Sequence, residues 1–353
     1  MTQFIESVST HQLLPPYRSE NSKVHCFLFD ISVGAIQKYC DTFLNLGEPS
    51  NRGFHYRPIA EAPFGLLSVT EYPALCSLDQ KTAQSFGVKT QEWDHLRQTE
   101  FYVAVPVHRY RVTGGNVLVD PVIQWVQPII ITDNATSAFS GREILGLETL
   151  YGEIKSPPAT KPGGLSFNVS LPSWVVFAPN SPQTMMPFVA INSGPPLAAA
   201  LAQNAVNSSA IAQLEAAIPD LAGMLEGRFP ETLELVILKQ FRSAADATQA
   251  IYQALIICEN RYSNVTDMTV YDPHSVTIDF QNGAMVREII HTFLDVPTST
   301  GLVVFKPVPG RKVGRSQAPH YTRPLVKMAV SFTATIDSMD IKTQFTFRDL
   351  VSA

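Results

Sequence analysis

A chain of 353 residues, 45% of them hydrophobic and 16% charged, can bury a large core, as one long domain or two small ones. Its formal net charge of -5 gives no electrostatic reason to bind nucleic acid or an anionic membrane surface. No stretch reaches the ~18 apolar residues of a membrane span, and the N-terminus MTQFIESVSTHQLL lacks the basic-then-apolar pattern of a secretory leader. A low charge fraction combined with 26 prolines suits a β-rich protein with many turns. The four cysteines (Cys26, Cys40, Cys76 and Cys258) are far apart, without C-x-x-C or metal-finger spacing. They read as buried thiols of a reducing compartment, which places the chain in the cytoplasm.

In chain order, residues 1–23 are polar, contain Pro15-Pro16, and are expected to form an extended N-terminal arm. Cys26–Phe29 is a short strand. Asp30 or Ser32 caps a helix over about 33–44, where Ile36, Tyr39, Cys40 and Phe43 fall at helical spacing. Residues 64–72 alternate as a strand, and 79–99 are polar enough for a loop with a helical turn. From Glu100 the β signal is strong: 101–107, 109–112, 117–127 and 128–132 are apolar runs, with a turn at Gly114-Gly115-Asn116. After a Pro/Gly/Lys loop at 153–165, short strands are expected at 165–169 and 174–178, and 179–196 reads as irregular. Residues 195–228 are Ala-rich with helical spacing and a break at Pro219. They are a helical insertion, either a surface excursion or a lid over a pocket. Strands follow at 233–241, 266–271, 275–280, 301–306, 326–336 and 341–347, while the run from Asp246 to Tyr262 fits helix or strand.

The stretch VQPIIITDNATSAFSGREILGLETLYG (126–152) is the most specific. An apolar strand enters the acidic turn Asp133-Asn134, and Gly141-Arg142-Glu143 is followed by Gly146. This run resembles the central motif of the acetoacetate decarboxylase family, in which Gly-Arg-Glu-x-x-Gly leads to Pro-Lys-Lys and the first lysine forms a Schiff base. Weaker resemblances lie at Glu100–Pro106, similar to a family strand that starts with an acidic residue facing the pocket, and at Leu238–Arg242. Here Glu148, Thr149 and Leu150 occupy the Pro-Lys-Lys positions, so the frame is present and the nucleophile is not.

In that family, burial and a neighbouring cation depress the lysine pKa, and the neutral amine attacks a ketone. Neither Thr149 nor Leu150 can form an imine. A displaced lysine, Lys155 or Lys239, is the alternative. Arg142 can hold a carboxylate or polarise a carbonyl, or it can pair with Glu143. Glu100 can act as acid or base in an apolar pocket, or sit in water at a strand end. Glu148 is a new carboxylate. His55-Tyr56-Arg57 either faces the pocket or is structural. Thr149, Glu143, Arg57 and Tyr102 are the candidate substrate contacts.

The resemblance implies a single domain over 1–353: mainly β (α+β), an acetoacetate decarboxylase-like antiparallel β-barrel or cone with helical insertions, which assembles as a homo-oligomer. The expected function is that of a small-molecule enzyme acting without a Schiff base on a keto, enol or polyketide-like substrate. Lyase, dehydratase, cyclase and isomerase chemistry all fit, as in secondary metabolism. Arg142, Glu100, Glu148 and His55 are the candidate catalytic groups. The alternatives are a non-catalytic small-molecule binder and a decarboxylase with a displaced lysine. No metal-ligand spacing, nucleophile elbow or Gly-rich phosphate loop is present, so no metal or cofactor is expected.

Overall fold

The computed structural model describes residues 14–61, 63–79, 96–114, 117–173, 182–197, 232–281, 321–322 and 326–348. They form fourteen strands, three short α-helices and a 3-10 turn at Pro273–Ser275. The strands are β1 (Tyr17–Asp30), β2 (Phe54–Pro58), β3 (Phe64–Ser77), β4 (Leu96–Thr113), β5 (Val117–Thr132), β6 (Thr149–Tyr151), β7 (Glu153–Lys155), β8 (Ser166–Ser173), β9 (Thr184–Asn192), β10 (Leu233–Arg242), β11 (Ala250–Tyr271), β12 (Thr277–Gln281), β13 (Tyr321–Thr322) and β14 (Val326–Arg348). The helices are α1 (Val33–Tyr39), α2 (Pro49–Arg52) and α3 (Ala135–Ser140); α1 and α3 each run on into a π-helical turn, at Cys40–Leu44 and Gly141–Leu145.

Nine strands pair in the order β2-β4-β3-β1-β14-β11-β10-β5-β6, and a further β4–β5 pairing returns the circuit to β4. Seven strands therefore close on themselves, which removes the edges an open sheet would expose. The sheet is mixed rather than purely antiparallel, because β5 runs parallel to both β10 and β6. A second sheet, β13-β12-β9-β8-β7, packs against one wall.

Alternation of side chains divides the apolar residues into two clusters. On β1, Phe27 and Phe29 face the second sheet, and Val24, Cys26 and Leu28 face the interior of the closed sheet. On β4, Phe101, Val103, Val105 and Val107 point outward, while Tyr102 and Ala104 point inward. Phe188 of β9 meets Phe101 and Phe280 edge-on, at ring-centroid distances of 5.8 and 5.9 Å. That trio joins the two sheets.

Prolines set the bends of β5. Ala104 of β4 faces both Gln127 and Pro128, since Val103 pairs Ile129 and Val105 pairs Val126. Proline has no N–H to give the ladder, so one residue is extruded as a bulge. The bulge resets the alternation: Trp125 and Ile130 both face inward, although they are an odd number of residues apart. A second bulge lies at Asp120-Pro121, where Asp120 has φ 51°.

The helix at 33–44 is as expected, with Ser32 Oγ accepting from Ala35 N at 3.4 Å and Ile36, Cys40 and Leu44 buried four residues apart. Other expectations are corrected. The arm does not extend to residue 23, because β1 starts at Tyr17 and pairs with β3 and β14 along both edges. Its polarity disguised it: Ser19 and Ser22 are fully buried and hydrogen-bond each other at 2.9 Å. Residues 96–99 are strand, not loop. Residues 184–192 are strand β9, whose Pro187 sits at a register shift. Residues 250–271 resolve to one strand of 22 residues. The runs 326–336 and 341–347 join in β14. Cys26, Cys40 and Cys258 are buried and Cys76 partly buried, and none of the four is in a disulfide. The Ala-rich insertion and the strands expected at 174–178 and 301–306 lie outside the described residues. Among the described residues no helix is long and apolar enough to cross a membrane.

Truncation of the residue that bridges the sheets should be costly. Phe188→Ala is expected to lower stability by about 3–5 kcal/mol, read as a drop in denaturant midpoint at unchanged m-value.

Candidate active site

The interior of the closed sheet holds a cavity of about 110 Å³, of a size for a small metabolite rather than a large ligand. Its polar wall comes from alternate residues of β4. Gln98, Glu100 and Tyr102 share one face, opposite the outward-facing Phe101 and Val103. Their cross-strand partners on β3 are Tyr72, Thr70 and Ser68. Asn260 and Tyr262 of β11 complete that wall, and Ile130, Leu145, Leu147 and Leu235 supply apolar surface.

Glu100 is partly buried and lines the cavity. Gln98 Nε2 donates to Glu100 Oε1 at 2.8 Å, and the Tyr72 hydroxyl also donates to this carboxylate. Both hydrogen bonds favour the charged form. Burial outweighs them, the Asp133 carboxylate adds to it, and the Glu100 pKa rises from 4.5 to about 7. Burial likewise pushes the Tyr102 phenol up to about 12, with the Cys26 thiol adding to the shift. Tyr72 and Tyr262 are raised well above the ordinary tyrosine value, first by burial and then by their neighbours Glu100 and Tyr102 respectively. At neutral pH the cavity therefore holds phenols as O–H donors and one carboxyl poised between its two forms.

The segment that carried the family resemblance forms one end of the cavity. Asn134 caps α3, its Oδ1 accepting from Ser137 N at 3.1 Å, and Asp133 Oδ1 accepts from Thr99 N at 2.7 Å. The acidic turn is thus tied to the start of β4. The π-helical turn then swings the chain back. Gly141 passes so near the side chain of β6 that an added Cβ would lie 2.9 Å from Thr149 Oγ1. Gly146 ends the turn at φ 76°, and a Cβ there would meet Lys239 Cβ at 2.5 Å. The Gly-x-x-x-x-Gly spacing is explained by these two close approaches. Thr149 then lies beside Ile130 in the parallel β5–β6 pair, buried and lining the cavity.

Of the residues singled out from sequence, Glu100, Tyr102 and Thr149 line the cavity. Arg142, Glu143 and Glu148 are exposed, on the outer side of the turn, and are not part of that lining. His55 is half-buried on β2, beside the far end of β4 at Tyr110, 3.3 Å from Arg52 Nη2. Burial lowers its pKa, helped by Arg52 and Arg57. Arg57 is exposed. Lys155 pairs with Glu153 at 2.6 Å on the surface. Lys239 Nζ donates to Ile144 O at 2.7 Å and holds the turn from behind. No lysine is among the described residues that line the cavity.

Gln98, Tyr72 and Tyr262 were not foreseen. Alternation through Glu100 and Tyr102 points back to Gln98, but the polarity of 96–99 concealed the strand. Among the described residues no group of three His, Cys, Asp or Glu could hold a metal ion.

This fold is similar to that of solved acetoacetate decarboxylases. A solved structure of acetoacetate decarboxylase superimposes at TM-score 0.52 and 12% identity, over 98% of this chain and 96% of that one. The acetoacetate decarboxylase of Legionella pneumophila gives TM-score 0.50 at 11% identity, over 98% and 99%. The enduracididine biosynthesis enzyme MppR, complexed with the condensation product of pyruvate and imidazole 4-carboxaldehyde, gives 0.51 at 12%, over 95% and 92%. No family model matches the sequence, and no curated protein does. At such identities the likeness establishes the fold.

Two outcomes follow from this geometry. A raised folded-state pKa means that native Glu100 holds its proton while an unfolded glutamate has lost it, so its contribution to stability is full below about 4.5 and lost as pH rises to about 7. Thermal melts at pH 5 and 8 should show a fall that Glu100→Gln removes. Gly146→Ala should cost about 2 kcal/mol or more, from the positive φ and the Lys239 contact together.

Proposed function

We propose that this chain is an enzyme that moves protons on an enolisable keto or enol compound, on an acetoacetate decarboxylase-like scaffold and without forming an imine. The observation that carries this reading is Glu100, a carboxyl with a pKa of about 7 facing a cavity otherwise lined by neutral groups. A base near neutrality abstracts a proton α to a carbonyl most effectively at physiological pH. The carbonyl oxygen then gains negative charge, and neutral donors of the lining, the Asn260 amide among them, can hold it. Thr149, at the position of the family's lysine, has a hydroxyl in place of an amine and contributes shape and a hydrogen bond.

Return of the proton to another carbon makes the reaction an isomerisation. Departure of a β-substituent makes it a lyase or dehydratase reaction, and internal attack by the enolate makes it a cyclisation. MppR, on the same fold, holds a condensation product of pyruvate, which is carbonyl chemistry of this kind. A place in secondary metabolism, the cytoplasm as compartment and a homo-oligomeric state belong to the same reading. Arg142, Glu148 and His55 are given no step in it, because they stand outside the cavity lining. The second reading is a non-catalytic binder. Its support is that Glu100 is the only carboxylate among the described lining residues.

Deuterium exchange at the α-carbons of simple ketones in D2O separates the readings. Catalysed exchange is expected, rising with pH as Glu100 ionises through about 7 and falling about a hundredfold or more in Glu100→Gln. Borohydride treatment with the same ketones should leave the protein mass unchanged. Binding without exchange would favour the binder, and a lysine adduct would restore the decarboxylase.

A further inference from the structure

Two buried polar atoms in the cavity wall have no partner. Gln98 is 3% exposed and Ser140 5%, and neither Gln98 Oε1 nor Ser140 Oγ has a hydrogen-bond partner. Both residues line the cavity, one on β4 and the other on α3. The orientation of the Gln98 amide is set by Glu100: its N–H donates to the carboxylate, so its carbonyl oxygen is left as an acceptor. A buried acceptor without a donor is unfavourable, and a ligand that supplies the donor removes the deficit. The charge of the wall selects further. Among the described lining residues there is no arginine, lysine or histidine, and Glu100 becomes negative near neutral pH. A ligand carboxylate would meet repulsion and no counter-charge.

We propose that the cavity takes an uncharged hydroxy ketone, its hydroxyl donating to Gln98 Oε1 and its oxygens within reach of Ser140 Oγ. The substrate class is thereby narrowed from keto acids, which the fold suggests, to neutral aldol-type compounds. The chemistry of this ligand rests on the proton-transfer reading, but its binding does not. With a β-hydroxyl against Gln98, Glu100 takes the α-proton and returns it to the departing hydroxyl. The C–O bond breaks, an α,β-unsaturated ketone forms, water leaves and Glu100 is again a carboxylate.

Saturation-transfer NMR on the full chain, with 4-hydroxy-2-butanone, 2-butanone and acetoacetate as probes, tests the assignment. The hydroxy ketone should bind about tenfold more tightly than 2-butanone, and more tightly than acetoacetate. Gln98→Met should abolish the advantage over 2-butanone, and Ser140→Ala should reduce it without lowering the melting temperature. Should Gln98→Met fail to fold, the comparison among probes on the unaltered protein and on Ser140→Ala still decides. Equal binding of hydroxy ketone and 2-butanone, stronger binding of acetoacetate, or no binding of the hydroxy ketone overturns the proposal. Selective binding without α-exchange refutes the proton-transfer reading and leaves this assignment standing. Exchange without hydroxyl preference does the reverse.

Discussion

The hydrogen bonds between β4 and β5 hold the architecture together. They turn a nine-strand sheet into a closed circuit and so create an interior. Closure requires long strands to bend, and the bends fall where Pro121 and Pro128 withhold an N–H from the ladder. The bulge at Pro128 also decides which side chains face inward beyond it. Without it, Ile130 would join Ile129's neighbours in the outer core, and the cavity would lose its floor beside Thr149.

Within that interior the chemistry follows from a contest between burial and hydrogen bonding at Glu100. Two donors pull its pKa down, and depth with the Asp133 charge pushes it up further. The same depth keeps the surrounding tyrosines protonated. A Schiff-base enzyme needs the opposite arrangement, an amine made neutral by burial and a nearby cation. Here the half-buried amine of Lys239 is engaged with a backbone carbonyl behind the turn. Its pKa is lowered by burial, and it stands over the Phe241 ring at 5.3 Å. Its role is to brace Gly146, which any side chain would force away.

The sequence revealed the apolar half of this design more readily than the polar half. The strands from Phe101 to Val107 and from Val126 to Thr132 are legible because their outward residues fill the core between the sheets. The turn at Asp133–Gly146 is legible because glycine spacing and an acidic cap leave a pattern. β1 before Val24 and β4 before Glu100 are illegible for one reason: their buried residues include Ser19, Ser22 and Gln98, so hydrophobic alternation is absent where burial is complete. Gln98 was lost in this way, and Tyr262 because the run that ends on it fits helix as well as strand. Arg142, Glu143 and Glu148 show the converse: proximity along the chain to a motif says little about which side of a π-helical turn a residue occupies.

The division of each wall strand into alternate faces has an evolutionary consequence. Core and cavity are separated by a single residue step, with Phe101 on one side and Glu100 and Tyr102 on the other. Mutation at even positions of this stretch can rewrite the ligand chemistry while the odd positions go on holding the two sheets together. A scaffold wired in this manner can discard one catalytic group and acquire another by single changes, each made without disturbing the packing on which folding depends.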